Sequence, residues 1–344
     1  MMDFYLFPTV HAFYSDLQQR LPTAQRTIQM AYYAFDDGRW AQAISQTLAQ
    51  KAAEGVAVKL MVDEAGLYLD NVRHGWRNRQ LLLWLRQAGV QVDLFRPNGR
   101  CLSQFNRLHC KFCVIDEQTA FIGGSNIGDH YVGWRDSNLR LDGALGSDFG
   151  RLYEGLRCFG GSQNEANYVF CGDDLRVGDM PLVLTVPGRR QDIRQALLAL
   201  IWGAETAVTL RTWYFLPDRE IMNALQTQAK RGVRVTILLS HHTRIPIVDL
   251  ANRPLCRQLA AAGVQIYRYA AGYMHAKAAW TEAGDILFGS ANFDHWALRT
   301  NFECCLHIKN EALAHELRLE LLADIHHCQL STSQRGQPQP LLHF

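Results

Sequence analysis

Short runs of apolar residues alternate with longer amphipathic segments over most of the chain. In the first third, residues 28–35 (IQMAYYAF) form an apolar run, residues 44–54 carry apolar positions at helical spacing, and Gly55 precedes a second apolar run at residues 56–62. Apolar runs of this length are typical of buried strands, and a glycine at a helix end favours the left-handed conformation that stops the helix. The pattern therefore predicts a strand, a helix and a second strand, which is the βαβ unit of α/β proteins.

The same pattern occurs again about 180 residues further along the chain. Residues 208–216 (VTLRTWYFL) correspond to the first apolar run, residues 221–231 to the helix, and residues 232–239 to the glycine with its following strand. In each copy another helix, glycine and strand follow, at residues 81–92 and 255–266. Two long copies are too few for a solenoid. We therefore expect an α/β protein made of two similar repeats related by a pseudo-twofold axis.

The repeat divides the chain into two units and a tail. We place the N-terminal repeat at residues 1–160 and the C-terminal repeat at residues 161–330. Residues 150–191, which contain Gly-Gly-Ser and Gly-Asp-Asp turns, are interpreted as a linker and the start of the second copy. Residues 331–344 (STSQRGQPQPLLHF) are rich in Gln, Pro and Ser, and this composition predicts disorder.

The composition is that of an ordinary folded protein. Of 344 residues, 48% are hydrophobic and 20% are charged, which excludes an intrinsically disordered chain. The 35 basic and 33 acidic residues give a formal net charge of +2, which argues against a polybasic nucleic-acid coat. No window holds the roughly 18 to 20 uninterrupted apolar residues of a membrane-spanning helix, and residues 1–8 lack the basic start and cleavage site of a signal peptide. We expect a cytoplasmic protein, and a peripheral position on the inner face of the membrane stays open.

Nine cysteines are scattered along the chain, an odd number that does not fit the disulfide framework of a small secreted domain. We therefore expect reduced thiols. Cys110 and Cys113 have the C-x-x-C spacing of a zinc or redox site. If this segment is a strand, positions three apart point to opposite faces and cannot hold one ion together. The sequence therefore predicts no metal site at this pair.

Each copy also contains the same motif of polar residues, a His-x-Lys pair followed at fixed distances by an acidic residue and a glycine-rich turn. The first copy supplies His109, Lys111, Asp116, Gly124 and Asn126. The second copy supplies His275, Lys277, Glu282, Ser290 and Asn292. A single His-x-Lys pair can occur by chance. Two copies with the same spacing, inside a repeat that the hydrophobic pattern establishes independently, would almost never do so. The motif therefore indicates a functional site rather than two histidines of the core.

The spacing of the motif has a structural interpretation. In a strand, His109 and Lys111 lie on one face. The glycines of the following turn let a second strand approach this face, so that three neutral side chains donate hydrogen bonds to the same place: Asn126, Ser290 and Asn292. Imidazole, ammonium and neutral donors with few carboxylates describe a pocket for phosphate, which requires no metal and no cofactor.

With these residues the chain resembles the phospholipase D superfamily, whose signature HxK(x)4D(x)6GSxN occurs twice. The first copy departs from the signature at Gly124, in place of Ser, and the second at Glu282, in place of Asp. The extra carbon of Glu282 would be poorly tolerated in direct chemistry, so Asp116 and Glu282 are interpreted as structural. The strings AFIGGSNIGDHY, WRDSNLRLDG and GSANFDHWALRTNFE are most similar to bacterial cardiolipin synthases, and the resemblance covers roughly residues 25–325. It implies two phospholipase D-like α/β sandwich repeats, each a mixed β-sheet flanked by helices, packed as a pseudo-twofold dimer in one chain.

The resemblance also implies a two-step displacement at a phosphodiester. One histidine attacks phosphorus and forms a phosphohistidine, while the other protonates the leaving alcohol and then activates water or an acceptor alcohol. In relatives the N-terminal histidine is the usual nucleophile, so attack is assigned to His109 and acid–base catalysis to His275. Five further residues are assigned to neutralise and orient the phosphoryl oxygens: Lys111, Lys277, Asn126, Ser290 and Asn292.

A histidine in this role needs a partner that fixes its tautomer, normally a carboxylate on its other nitrogen. Each copy has an acidic residue at a similar distance beyond its histidine, Asp136 in WRDSN and Glu303 in NFECC. The resemblance implies that these carboxylates act across the pseudo-twofold, Asp136 on His275 and Glu303 on His109. The alternative, in which both acidic residues form surface ion pairs, stays open.

The two copies differ in the loops that join their shared elements. Residues 66–80 and 96–108 of the first copy and residues 241–254 of the second mix arginine with aromatic or aliphatic residues. Loops on a shared scaffold commonly determine the substrate. These loops suit anionic lipid head groups or a nucleic-acid backbone, and solvated connections without a contact role are an equal alternative.

We therefore predict an enzyme that performs metal-independent phosphodiester transfer, either phosphatidyl transfer to an alcohol, as in cardiolipin synthases, or phospholipase D hydrolysis. The expected partner is an anionic phospholipid, such as phosphatidylglycerol, at a membrane surface. The alternative is a phospholipase D-family nuclease or phosphodiesterase acting on DNA or RNA, since the near-neutral charge disfavours backbone binding without excluding it. A catalytically silent scaffold would require a degenerate motif, and neither His-x-Lys pair is degenerate. No protein partner is implied, because one chain contains both halves of a site.

Overall fold

The structure is a computed structural model, and it describes residues 2–96, 106–159, 170 and 174–330. Three of the sequence predictions fall wholly or partly outside these residues: the tail at 331–344, most of the loop at 96–108, and the boundary between the repeats at 160–161. Two of the nine cysteines, Cys101 and Cys171, also lie outside them.

Seven strands form the sheet of the first half. Their bounds are β1 Asp3–Phe7, β2 Thr27–Tyr32, β3 Ala57–Asp63, β4 Gln91–Phe95, β5 Phe112–Ile115, β6 Thr119–Gly123 and β7 Asn138–Asp142. They lie in the order β1-β7-β6-β5-β2-β3-β4. The neighbours β2, β3 and β4 are parallel, and the other pairs are antiparallel. The first half is therefore built on a mixed sheet.

The second half contains a larger sheet with the same central arrangement. Its strands are β8 Arg176–Val177, β9 Met180–Val186, β10 Arg190–Gln191, β11 Ala207–Thr212, β12 Phe215–Leu216, β13 Arg234–Ser240, β14 Gln265–Tyr269, β15 Ala278–Thr281, β16 Asp285–Gly289, β17 Phe293–Asp294, β18 Glu303–Lys309 and β19 Cys328–Leu330. The main order is β10-β9-β18-β16-β15-β11-β13-β14-β19, with β8 on β9 and a separate β12-β17 pair. Within this sheet, the neighbours β9-β18-β16-β15-β11-β13-β14 have the same order and the same strand directions as β1-β7-β6-β5-β2-β3-β4 in the first sheet. This correspondence confirms the internal repeat.

Helices connect these strands. In the first half they span Val10–Arg20, Arg39–Ala53, Glu64–Leu69, Gly75–Gln87 and Asp148–Phe159. In the second half they span Asp192–Gly203, Arg219–Lys230, Pro246–Ala261, His295–Arg299 and Glu311–Ile325. Gly55 and Gly232, with φ of +88° and +91°, stop two equivalent helices in the left-handed conformation that glycine adopts without strain. In the described part of the chain, none of the helices is both long and apolar enough to cross a bilayer.

The interpretation of residues 150–191 as a linker and the start of the second copy is wrong for residues 150–159, which are helical. The helix buries Leu152, Tyr153 and Leu156, which follow helical spacing. Strand β9, in contrast, pairs with β18 and belongs to the sheet of the second half, so the end of this segment does start the second copy. The Gly-Gly-Ser and Gly-Asp-Asp turns fall at residues 160–162 and 172–174, mostly outside the described residues.

The apolar core has a central layer shared by both halves. This central cluster contains Phe112 of the first sheet and Phe288 of the second, together with side chains of helices Asp148–Phe159 and Glu311–Ile325. Two outer clusters lie on the far face of each sheet, under the helices of that half. The two sheets therefore face each other across one core, which holds the two halves in fixed positions.

The two cysteines with C-x-x-C spacing point to opposite sides of the first sheet. Cys110 belongs to the central cluster and Cys113 to the outer cluster of the first half. Both are buried and free of disulfides. Among the residues that the structure describes, no group of three or more His, Cys, Asp or Glu side chains is arranged to hold a metal ion.

Candidate active site

The two halves meet at the segments that carry the His-x-Lys pairs. The N–H of His109 donates to the carbonyl of Phe302 at 2.8 Å, and the N–H of His275 donates to the carbonyl of Arg135 at 2.7 Å. Strand β5 begins only after Lys111, so the interpretation of His109 and Lys111 as strand residues is wrong. The reason is that the backbone at His109 pairs with the other half of the molecule. Each histidine is thus positioned by backbone of the opposite repeat.

Glu303 fixes the orientation of His109. Its Oε1 lies 2.7 Å from Nδ1 of His109, and its Oε2 accepts a hydrogen bond from Oγ of Ser290 at 2.5 Å. The Ser290 hydroxyl also accepts the N–H of Cys304 at 3.1 Å, so this side chain holds Glu303 in place. Glu303 is only 1% exposed, which rules out a surface ion pair. When Nδ1 of His109 donates to the carboxylate, Nε2 keeps its lone pair.

Asp136 plays the equivalent part for His275. Its Oδ2 lies 2.6 Å from Nδ1 of His275, and its Oδ1 accepts the N–H of Ser137 at 2.8 Å. Asp136 is 2% exposed, so the surface alternative is wrong here as well. Together the two pairs form the crossed arrangement that the resemblance implies.

The departure from the signature at Gly124 follows from the position of Asp136. A Cβ added at Gly124 would lie 2.1 Å from Oδ1 of Asp136, far inside van der Waals contact. The first half therefore combines a glycine with a short aspartate, whereas the second half combines Ser290 with the longer Glu303. The missing serine does not leave a gap, because the carboxylate occupies that space.

Two buried lysines accompany the histidines. Nζ of Lys111 donates to the carbonyl of His109 at 2.7 Å, and Nζ of Lys277 donates to the carbonyl of His275. Burial lowers the pKa of Lys111 to about 8 although Glu303 opposes the shift. Burial, with the charge of Lys111, lowers the pKa of Lys277 to about 7 against the effect of a nearby carboxylate. A nearby anion would therefore stabilise the charged form of both lysines and raise their pKa values.

The same environment favours neutral imidazoles. Burial and the charges of Lys111 and Lys277 hold the pKa of His109 well below its usual range. Burial and Lys277 lower the pKa of His275 to about 3, although Asp136 opposes the shift. A neutral imidazole is the form of histidine that can act as a base or a nucleophile.

The asparagines tie the glycine-rich turns to neighbouring strands. Oδ1 of Asn126 accepts the N–H of Ala34 at 3.2 Å, and its Nδ2 donates to the hydroxyl of Tyr131 at 3.2 Å. Oδ1 of Asn292 accepts a hydrogen bond from Oγ1 of Thr212 at 3.5 Å. Both amide oxygens therefore face the ends of β2 and β11.

The acidic residues of the two signatures have structural contacts. The carboxylate of Asp116 accepts the N–H groups at residues 25–27, each at 2.7 Å, which joins the turn after β5 to the start of β2. Glu282 accepts from Thr206 at 3.1 Å and from Arg234 at 2.6 Å at the equivalent turn. The interpretation of Asp116 and Glu282 as structural is confirmed.

Sequence reasoning missed the residues that hold the chain just before each histidine. Oδ2 of Asp63, at the end of β3, accepts the N–H of Leu108 at 2.8 Å. Oγ of Ser240, at the end of β13, accepts the N–H of Met274 at 3.2 Å. Asp63 and Ser240 occupy equivalent positions at the ends of β3 and β13. Aligning the two copies of the sequence would have identified this pair of polar residues.

Aromatic side chains that sequence reasoning also missed form walls beside the histidines. The ring of Tyr33 lies 5.7 Å from that of His109, and the rings of Trp213 and Trp134 lie 4.5 and 5.1 Å from that of His275. Tyr33 and Trp213 follow directly on β2 and β11, so they are equivalent positions of the repeat. These rings exclude water from one side of each imidazole.

The two halves support the crossing segments differently. Arg135 donates from Nη1 to the carbonyl of Asp136 at 2.8 Å, and its Nε donates to Asp324 at 2.7 Å. Arg211, which is completely buried, contacts Glu320 at 2.8 Å and Asp324 at 3.3 Å. Phe302, the counterpart of Arg135, instead lies within an aromatic cluster with Phe95, Phe159 and Phe170. An ionic network thus supports the His275 side, and apolar packing supports the His109 side.

Comparisons with known proteins agree with this geometry. The family model described as "Cardiolipin synthase, PLD-like domain" matches residues 17–142 and 197–325, which contain both His-x-Lys motifs. Cardiolipin synthase 1 of Bacillus cereus is 27% identical over 335 residues, covering 91% of this chain and 64% of the relative. Cardiolipin synthase 1 of Staphylococcus epidermidis is 29% identical over 359 residues, covering 98% of this chain and 70% of the relative. The chain thus spans about two thirds of the length of these two relatives.

A solved structure has the same fold. Phosphatidylserine synthase of Haemophilus influenzae superposes with a TM-score of 0.78 at 15% identity, covering 95% of this chain and 87% of that protein. The likeness extends over both repeats. It confirms the expected architecture of two mixed sheets flanked by helices.

Proposed function

Because the chain belongs to the phospholipase D-like family of the cardiolipin synthases, we propose that it transfers a phosphatidyl group from a diacyl phospholipid, such as phosphatidylglycerol, to an alcohol. One observation carries the proposal. The imidazoles of His109 and His275 each form a hydrogen bond through Nδ1 with a carboxylate of the other repeat, and two buried lysines lie beside them. This arrangement can hold one phosphodiester between two nitrogen bases. The proposed lipid substrate is inferred from the names of the relatives, and the proposed reaction is inferred from the geometry of the site.

In the first step, Nε2 of His109 attacks phosphorus and the bond from phosphorus to the head-group oxygen breaks. The leaving oxygen takes a proton from Nε2 of His275, so a free alcohol departs and a phosphohistidine remains. The hydrogen bonds from Glu303 and Asp136 support these roles, because they direct the second nitrogen of each ring toward the substrate.

His275 takes up its proton from solvent when the substrate anion binds. In the site without an anion, the pKa of His275 is about 3, so the ring is neutral. A phosphodiester between Lys111 and Lys277 adds a negative charge close to both rings and raises the pKa of each nearby base. The charged Asp136 then stabilises the imidazolium of His275, while His109 attacks and therefore stays neutral.

In the second step, His275 takes the proton of an acceptor alcohol, whose oxygen attacks phosphorus and releases His109. The new phosphodiester leaves, His275 releases the proton to solvent, and both rings are again neutral. Lys111 and Lys277 neutralise the non-bridging oxygens in both steps, with the amide groups of Asn126 and Asn292 beside them. Ser290 acts through Glu303, which its hydroxyl contacts. The proposed reaction requires no metal ion.

The test is an incubation of the purified protein with phosphatidylglycerol vesicles in EDTA, followed by mass spectrometry of the lipids. Cardiolipin with released glycerol is the expected product, and phosphatidic acid alone would identify a phospholipase instead. The His109→Ala and His275→Ala variants should each lose turnover. A parallel incubation with DNA and RNA tests the alternative, since shortened strands with intact lipid would overturn the proposed substrate. Strong inhibition by EDTA with rescue by a divalent ion would overturn the metal-independent mechanism.

A further inference from the structure

Large apolar side chains are exposed on two segments that the proposed reaction does not use. We call them the apolar rim, and its members are Leu69, Val72, Trp76, Ile245, Ile247 and Leu250. Val72 and Trp76 are 79% and 72% exposed, and Ile247 is 69% exposed. Exposed clusters of large apolar residues commonly mark a contact surface.

The two parts of the apolar rim lie side by side. Arg244, next to Ile245, donates to the carboxylate of Asp70 at 3.2 Å and to its carbonyl at 2.7 Å. Asp70 in turn is next to Leu69. This contact joins a segment of the first repeat to a segment of the second, so Leu69 and Ile245, which flank it in the sequence, lie in the same region of the surface.

The apolar rim lies at the edge of the sheets that holds the active site. Its two segments follow the carboxyl ends of β3 and β13, whose last residues, Asp63 and Ser240, bind the chain before each histidine. The hydroxyl of Tyr131 donates to Asp70 and accepts a hydrogen bond from Asn126, a residue of the first motif. The rim is therefore joined through Tyr131 to the first motif.

Basic residues accompany the apolar ones. Residues 66–80 contain three arginines and one aspartate, and residues 241–254 contain two arginines and one aspartate. Arg73 and Arg79 are exposed beside Trp76. An apolar surface with a positive border is complementary to a bilayer of anionic lipids, in which apolar groups enter the interface and arginines meet the head groups.

We infer that the apolar rim docks the protein on an anionic phospholipid bilayer and holds the active-site opening at the level of the head groups. The inference rests on the proposed function, because a diacyl substrate resides in such a bilayer. The rim side chains enter the interface, and a phosphodiester reaches His109 and His275 without leaving the lipid surface. A second copy of the chain or a nucleic acid would be a different occupant of the same surface.

The experiment compares vesicle binding of rim variants with that of a matched control. Trp76→Asp and Ile247→Asp each place a charge on the rim, while Trp202→Asp does so on an exposed tryptophan before β11, at the opposite end of that sheet. Sedimentation with phosphatidylglycerol vesicles should show binding weakened by about tenfold or more for each rim variant and unchanged for the control. Equal binding of all variants would overturn the inference, as would a rim-dependent dimer or DNA complex without vesicle binding.

Turnover of a soluble phosphodiester separates this inference from the proposed function. With bis(p-nitrophenyl) phosphate, the rim variants should keep the activity of the unmodified protein, while their turnover of vesicle lipid falls together with binding. If the unmodified protein binds vesicles through the rim but converts no phospholipid, the proposed function fails and the docking stands. If lipid turnover is normal in Trp76→Asp and Ile247→Asp, the docking fails and the proposed function stands.

Discussion

Nδ1 of His109 lies 2.7 Å from Oε1 of Glu303, a residue 194 positions further along the chain. The contact joins the first repeat to the second, and the contact between His275 and Asp136 joins them in the opposite direction. Neither repeat can therefore orient its own histidine. The active unit is the pair of repeats, which explains why one chain with two copies forms one site.

Replacing Glu303 by Gln should lower kcat by about 10³- to 10⁴-fold. The amide keeps the size of the side chain, but it can donate to Nδ1 and so favour the wrong tautomer of His109. Steady-state kinetics with a soluble aryl phosphodiester would measure the effect. The melting temperature should change little, because Gln keeps the volume of Glu and the core is intact. An unchanged kcat would show that Glu303 does not control the tautomer of His109.

Restoring the signature serine at position 124 should damage the site. A Cβ at this position meets Oδ1 of Asp136 at 2.1 Å, so Gly124→Ser and Gly124→Ala must both displace the carboxylate that holds His275. We expect each variant to lose at least about tenfold in kcat. Gly203→Ala is the control, since a Cβ there meets no atom within 4 Å. If Gly124→Ser has the same kcat as the unmodified protein, Asp136 can shift without any loss of catalysis.

The sequence predicts much of this fold because its local patterns repeat. The glycines at positions 55 and 232, each after an amphipathic helix and before an apolar run, fix two equivalent turns, and the two motifs fix two equivalent sites. Helix Asp148–Phe159 was interpreted as part of a linker because glycines follow it, although its buried residues have helical spacing. The hydrophobic pattern thus predicts most of the repeated elements but not the helix next to the segment that joins the two copies.

The site was less accessible to sequence reasoning, because its contacts join distant residues. Ser290 is an example, because the resemblance assigns its hydroxyl to the phosphoryl oxygens and only the folded chain shows its contact with Glu303. The strand assigned to His109 is wrong for the same reason, since its backbone bonds to Phe302 of the other repeat. Tyr33 and Trp213 could have been identified from the sequence, because both are aromatic residues that directly follow equivalent strands.

Affinity for an anionic lipid analogue should fall as the pH rises above neutrality. The pKa values of Lys277 and Lys111 are about 7 and about 8 in the site without an anion, so Lys277 loses its proton around pH 7 and Lys111 around pH 8. Binding favours the charged lysines and must then take up protons, which costs about tenfold in affinity per pH unit for each neutral lysine. The probe is a lipid phosphonate monoester, which keeps one negative charge over this range.

Calorimetry in two buffers of different ionisation enthalpy would count the protons taken up. In Lys277→Arg the guanidinium stays charged, so proton uptake at pH 8 should decrease and the fall in affinity should shift to higher pH. Constant affinity from pH 7 to 9 would contradict the lowered pKa values of both lysines.

Removing Arg211 should destabilise the protein strongly. Its guanidinium is completely buried against Glu320 and Asp324, so Arg211→Met removes a buried positive charge and leaves Arg135 as the partner of both carboxylates. We expect the free energy of unfolding to fall by about 3–5 kcal/mol, measured by urea denaturation. Arg234→Met is the control, because Arg234 and Glu282 form an exposed pair whose loss costs less than about 1 kcal/mol. Similar losses in both variants would show that the buried network does not stabilise the fold.

The assignment of the two histidines can be tested by trapping the covalent intermediate. An aryl phosphodiester has a leaving group that needs no proton, so His275→Asn should still release one equivalent of phenol in a burst. The second step should then be slow, since no base activates the acceptor, and the protein should gain the mass of the transferred phosphoryl group on His109. The variant His109→Asn should show neither burst nor adduct. If His109→Asn instead carries the adduct on His275, the two residues have exchanged roles, and the crossed carboxylates Glu303 and Asp136 exchange theirs with them.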